Sequence, residues 1–490
     1  MAALLTGLAL TLTGCSSDGS GGGDGGSIGD AGDAGDVGDG GDVGDGGGVG
    51  DGSVEPPGYW ASVLTADERE TPREVVATDD GYLVVGERTN SQTEETDIWA
   101  VKLDLKGAIV WEKLYSASGS DTVAGAFETN SGDFIIGGNS EVTDSSGETQ
   151  DLLLLKITSS GAITWAHAYD LDLDAQDGAN DEVFSVAHLD KDLAGNVLLG
   201  GTVDLGSGQD PVLLEVDTGG NAVQAYSLAY PDFQAVGRVL QLTQERFIFF
   251  GTTDTANGAR YFAARFDTDI GQTTTVWARE FSSRSTVTTK LDAAYAFDGG
   301  ILVAGPKGDG LLTLKLDPLD GSELGSARRS ESTDGTLFGG VEGLTEIENN
   351  DFMVVSTVDA GGDRGKDFFL LHVQDDDALP VGATTIDGQG HDVGYAVATS
   401  SEGGVLSAGA TAPSINDPED FFVHRGAGDG LIPSTSFSTS GAWTRFPESL
   451  GLADAGPLTY TSRTGSIFVA DVTSDVTVTA VSPGNTSIYP

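Results

Sequence analysis

From residue 58 onward, apolar residues come in short bursts with no 3.6-residue spacing. Seven of these bursts end on a small residue: Leu83-Val84-Val85-Gly86, Phe134-Ile135-Ile136-Gly137, Val197-Leu198-Leu199-Gly200, Ile248-Phe249-Phe250-Gly251, Leu302-Val303-Ala304-Gly305, Met353-Val354-Val355-Ser356 and Leu406-Ser407-Ala408-Gly409. They lie 51, 63, 51, 54, 51 and 53 residues apart. A second apolar or alternating stretch follows each, opened by Asp in most copies (Asp97, Asp151, Asp210, Asp367, Asp420), then a tight turn and another strand-like run. Each copy therefore holds four β-type segments bounded by Gly, Asp and Asn. A repeat of about 54 residues with four strands predicts an all-β β-propeller with four-stranded antiparallel blades.

Closing such a ring commonly pairs strands from both chain ends, which removes exposed edges. Tyr59 to Leu64 aligns with Val110 to Tyr115, the outermost strand of a copy, but lacks the rest of its blade. It is expected to complete the last blade. The residues after about 440 contain Leu458–Thr461, Ile467–Ala470 and Val476–Thr479, close to where an eighth copy would place strands. Eight blades are therefore expected, the last, at about 441–490, degenerate. The alternative is seven blades plus a C-terminal extension.

The repeats resemble those of bacterial envelope propellers, including the PQQ-like quinoprotein superfamily, whose blades carry an Asp, a Gly and a docking Trp. That resemblance covers residues 58–440 in outline and implies the fold, but its cofactor site is not recognised here. Trp60, Trp111, Trp165 and Trp277 occupy the docking position and are expected to pack between adjacent blades.

The N-terminal part adds an address. Residues 2–12 form an apolar run too short to span a bilayer and suited to the core of a signal peptide. Leu12-Thr13-Gly14-Cys15 resembles the lipobox of bacterial lipoproteins, which implies cleavage after residue 14 and a lipid on Cys15. Ser16 leans the expectation towards the outer rather than the inner membrane. Residues 15–57 are almost all Gly, Asp and small residues, too poor in apolar surface to offset ordering entropy, and are expected to form a disordered tether. The domain 58–490 would hang from it as a monomer.

Composition narrows the partners. With 24 basic against 76 acidic residues, the net charge of −52 argues against nucleic acid. The single Cys excludes an internal disulfide framework. No nucleophile elbow, H-E-x-x-H, Walker loop or Rossmann fingerprint occurs.

With the strands of a blade labelled a to d from the centre, a–b and c–d turns share one face of the disc, and b–c and d–a links share the other. The first are short; the second are long, as in Glu87–Thr96, Gly138–Gln150, Thr357–Lys366, Ala410–Glu419 and Leu171–Asp181. Long links on a rigid scaffold are where binding residues concentrate. That face is acidic, with Glu87, Glu94, Glu95, Glu141, Asp144, Glu148, Asp204, Asp359, Asp363, Asp417 and Glu419 against Arg88, Arg364 and Lys366. Asp121, Asp181 and Asp392, with Asp334 in a related place, precede innermost strands, where they would ring the channel mouth and hold a hard cation or cap turns. Asp170, Asp172 and Asp174 with Asp181 resemble a calcium loop, although Ala175 replaces its turn glycine. His167, His188, His372, His391 and His424 fall at unlike positions and are expected to be ordinary strand or loop residues.

The expected function is a lipid-anchored envelope module that binds or scaffolds protein or polysaccharide, with calcium as an assisting cation. The alternative is a propeller enzyme, a lyase or hydrolase of extracellular glycans; no catalytic residue is assigned.

Overall fold

The computed structural model describes residues 60–489 apart from several segments, the longest of them 172–183, 283–289 and 427–437, and stretches between the strands of the C-terminal tail. The expected signal peptide, Cys15 and the tether lie outside the described residues. Glu55–Pro490 form one compact unit. Among the described residues no helix is long and apolar enough to cross a membrane.

The strands assemble into seven antiparallel sheets, the blades. Strand β1 spans Trp60–Thr65. Blade 1 is β2 (Arg69–Thr78), β3 (Gly81–Thr89), β4 (Thr96–Asp104) and β5 (Ile109–Ser116). The innermost strands of blades 2 to 7 are β6 (Gly125–Glu128), β10 (Phe184–Lys191), β14 (Phe233–Thr243), β18 (Asp292–Tyr295), β22 (Leu337–Glu346) and β26 (His391–Thr399). Seven apolar clusters, one in each gap between neighbouring blades, hold the ring. Trp99, Tyr82, Val84, Leu406, Phe421 and Val423, for example, join blade 1 to blade 7. No blade has this surface covered on its own, so each depends on its neighbours.

Blade 7 ends on β28 (Asp420–Gly426), and the expected orphan strand completes it: β1 pairs with β28, Trp60 opposite Arg425 and Leu64 opposite Phe421. The expectation of eight blades is corrected to seven. Three strands of the supposed eighth copy do form, as β32 (Tyr460–Ser462), β33 (Ile467–Asp471) and β34 (Thr477–Ala480), but they do not pair with one another. Together with β29 (Ser438–Thr439), β30 (Trp443–Pro447), β31 (Ala453–Asp454) and β35 (Gly484–Tyr489), they run backwards round the disc. Each adds a fifth, antiparallel strand to one blade: β29 to blade 6, β30 to blade 5, and so on to β34 on blade 1. Finally β35 pairs with β1, which thus lies between β28 and β35. The physical reason is the open outer edge: seven bare rows of N–H and C=O groups offer more pairing than one extra blade would.

The expected tryptophan docking is present. The indole N–H of Trp60 donates to Leu105 O at 3.3 Å, that of Trp111 to Ser159 O at 2.9 Å, that of Trp165 to Thr218 O at 3.3 Å and that of Trp277 to Pro318 O at 3.1 Å. Each acceptor lies in the c–d turn of the next blade. Gly107 in one such turn has φ +79°, and a Cβ there would lie 2.7 Å from the Trp60 ring, so turn geometry and ring contact both require glycine.

A second repeated device escaped the sequence reading. Near the end of strand c, most blades carry a basic residue that reaches an acid in or beside a turn: Lys102 to Asp80 (2.6 Å), Lys156 to Asp133 (3.4 Å), Arg265 to Asp267 (2.9 Å), Lys315 to Asp298 (2.8 Å) and His372 to Asp351 (2.8 Å). Blade 3 has Glu215 there instead, accepting from Asn196 at 3.0 Å and Gln224 at 2.7 Å.

Candidate functional site: the central channel

All seven innermost strands line a central cavity of about 450 Å³. In five of them the pairing with strand b slips, more than once in β14 and β22, and Arg73, Ala187, Gly237, Glu342 and Tyr395 are among the residues left extra. Such bulges re-aim side chains. Three of the five, Arg73, Glu342 and Tyr395, belong to the neighbouring blades 1, 6 and 7. The Arg73 guanidinium stands 5.2 Å over the Tyr395 ring and pairs with Glu87 at 2.8 Å, while Lys290 pairs with Glu342 at 3.6 Å. Since innermost strands start on the b–c/d–a face, these groups form the tier nearer that mouth.

The next register layer holds Glu74, opposite Val85; Arg238, opposite Phe250; and Asp292, opposite Ala304. The same layer elsewhere is Ala126, Leu189, Gly343 and Ala396. Arg238 pairs with Asp190 at 3.0 Å and approaches Asp292 at 3.7 Å. Among the described residues Glu74 has no such partner and accepts the N–H of Val75 at 3.0 Å. It is half-buried and lines the channel. That burial pushes its pKa up to about 7, against the opposing pull of Arg238 and the Val75 N–H. Burial also raises Asp292, again against Arg238. Burial, with Arg238 and Lys290 nearby, holds His188 neutral. The layer thus joins one permanent cation to Glu74, whose carboxyl changes charge near neutrality, and to Asp292, which burial raises, a set able to bind polar groups or to move a proton.

The residues singled out from sequence fare differently. Asp121 is fully buried and accepts from Ser140 Oγ at 2.5 Å, which ties its link to strand b. Asp392 is buried in β26, opposite Thr411. Asp170 closes β9 (Ile163–Leu171); Asp172, Asp174, Asp181 and Asp334 lie outside the described residues. Among the described residues no three His, Cys, Asp or Glu side chains gather to hold a metal ion. The histidines are dispersed: His167 stacks on Trp165 at 4.8 Å, His391 faces Glu419 at 3.7 Å, and His424 is buried beside Ser407. One expected b–c loop, Gly138–Gln150, is largely a hairpin instead: β7 (Phe134–Asp144) and β8 (Gly147–Ile157) pair through it.

Glu74, Asp190, Arg238 and Asp292 were missed because they lie within strands. A charged residue interrupting an innermost strand was the available signal.

No protein-family model and no curated protein matches the chain. Among solved structures, an exo-β-1,3-galactanase from Clostridium thermocellum is similar at 10% identity over 73% of this chain and 83% of that one, with a TM-score of 0.31. A likeness that weak carries no argument, and the propeller rests on the chain's own strand order.

Proposed function

We propose that the protein is a binding module of a bacterial envelope, lipid-anchored through Cys15 in the outer membrane and taking a protein or polysaccharide ligand at the channel mouth on the b–c/d–a face. One observation carries this reading: in a ring built from repeats, the charged layer of Glu74, Arg238 and Asp292 breaks the repeat. Structural needs recur in every blade, whereas a ligand has its own shape and does not. Arrays of glycans and envelope proteins probed with wild type, Glu74→Gln and Arg238→Met test it. Binding weakened at least tenfold in both variants, with unchanged melting of Glu74→Gln, is expected; equal binding by all three moves the site elsewhere.

A second reading, a glycan lyase or hydrolase, is favoured by the Glu74 carboxyl, whose pKa of about 7 suits proton transfer beside Asp292 and Arg238. Release of reducing ends from a bound polysaccharide, lost in Glu74→Gln although binding persists, distinguishes it.

A further inference from the structure

The gap between blade 1 and blade 7 is where the ring closes, and its polar end is unlike any other. Its apolar part is ordinary: Trp99 meets Phe421 edge-on at 4.8 Å, and Arg425 Nε donates to Tyr82 Oη at 2.9 Å. Toward the b–c/d–a face the Glu70 N–H donates to Glu419 O at 3.0 Å, and Arg69 pairs with Glu419 at 3.1 Å. The Glu70 side chain is 1% exposed, and neither carboxyl oxygen has a hydrogen-bond partner. Arg88 comes no closer than 3.9 Å and is engaged by Glu68 at 2.8 Å. The other charged groups around Glu70 are Glu112, whose carboxyl accepts the Trp99 indole N–H at 2.8 Å, and Asp420 from blade 7. Asp97 lies near the same Arg88 and Glu68. One guanidinium therefore serves a group of carboxyls. By contrast, Glu87, at the next gap, receives both Val123 N–H at 3.0 Å and Arg73 at 2.8 Å.

We propose that this gap is a proton-dependent latch: Glu70 is protonated while the ring is closed, and its ionisation loosens blade 1 from blade 7 before any other gap opens. An ionised carboxylate with no donor, among other acids, is costly to bury. Burial accordingly pushes Glu70 up to about 8, opposed by Arg88 and reinforced by Glu112, Asp420 and Glu68. Because the folded value lies above the unfolded one, stability is full below the ordinary carboxyl range and falls as pH rises towards 8.

Melting of the full chain from pH 4 to 9 tests this. Relative to Glu70→Gln, the wild-type midpoint is expected to match near pH 4, to fall steadily below it as pH rises, and to lie about 5 °C below it by pH 9. Parallel curves overturn the latch. Should Glu70→Gln not fold, amide exchange of the wild type at pH 7 and 9, corrected for intrinsic rates, decides. Protection lost first in β1, β2 and β28 supports the proposal; equal loss in β14 overturns it.

Discussion

The two faces of the disc obey different rules. On the a–b/c–d face the same solutions recur from blade to blade: Asp-capped turns, a docked tryptophan, a strand-c cation on a turn acid. Asp104 and Asp217 each accept two backbone N–H groups of their own turn, at 2.8 to 2.9 Å. The large exposed apolar side chains Val110, Leu193, Val223, Val276, Phe297 and Leu319 also stand on this face, at or beside those turns. On the b–c/d–a face little recurs: the bulges carry Arg, Ala, Gly, Glu or Tyr, the links differ in length, and the raised carboxyls belong to single blades. Repetition marks what every blade needs in order to pack, and departure from it marks what the molecule does once.

The sharpest test of that contrast removes residues 438–490, the part that serves all blades alike. Baring seven sheet edges is expected to lower the melting midpoint by on the order of 10 °C and to produce aggregates in size-exclusion chromatography. An unchanged midpoint would make the outer strands ornamental. Next in size is Lys315→Ala. Its side chain is 1% exposed between Asp298 and Asp375, so about 3 kcal/mol of stability should vanish, while Lys156→Ala, whose side chain is 14% exposed and whose single acid stands at 3.4 Å, costs about 1 kcal/mol. Denaturant titration separates them. Glu215→Lys sharpens the comparison from the other side, since it restores the repeated pair towards Asp192 and should stabilise blade 3 by about 0.5 kcal/mol.

How much of this was legible beforehand follows the same division. Repeated features announced themselves: the apolar bursts ending on Gly86 or Gly137 located strand b, and Trp60 and Trp111 located strand d. The blade number was misread because β29 and β31 are two residues long and the tail's partners lie as far as 428 residues away in sequence (Ala61 and Tyr489), so local pattern names no partner. The channel layer was missed because a bulge is a property of two strands in register; nothing in Pro72-Arg73-Glu74 alone says that Arg73 is the extra residue. Burial of Glu70 was equally hidden, since its neighbours come from both chain ends.

One feature of the ring closure reaches beyond folding. Because β1 is flanked on both sides, by β28 and by β35, a pull on the N-terminal end loads two ladders of hydrogen bonds in shear rather than peeling one from an open margin. The grip on the first strand comes from Gly484–Tyr489, more than four hundred residues later. A freshly made propeller would therefore reach full mechanical strength only after that strand has been made.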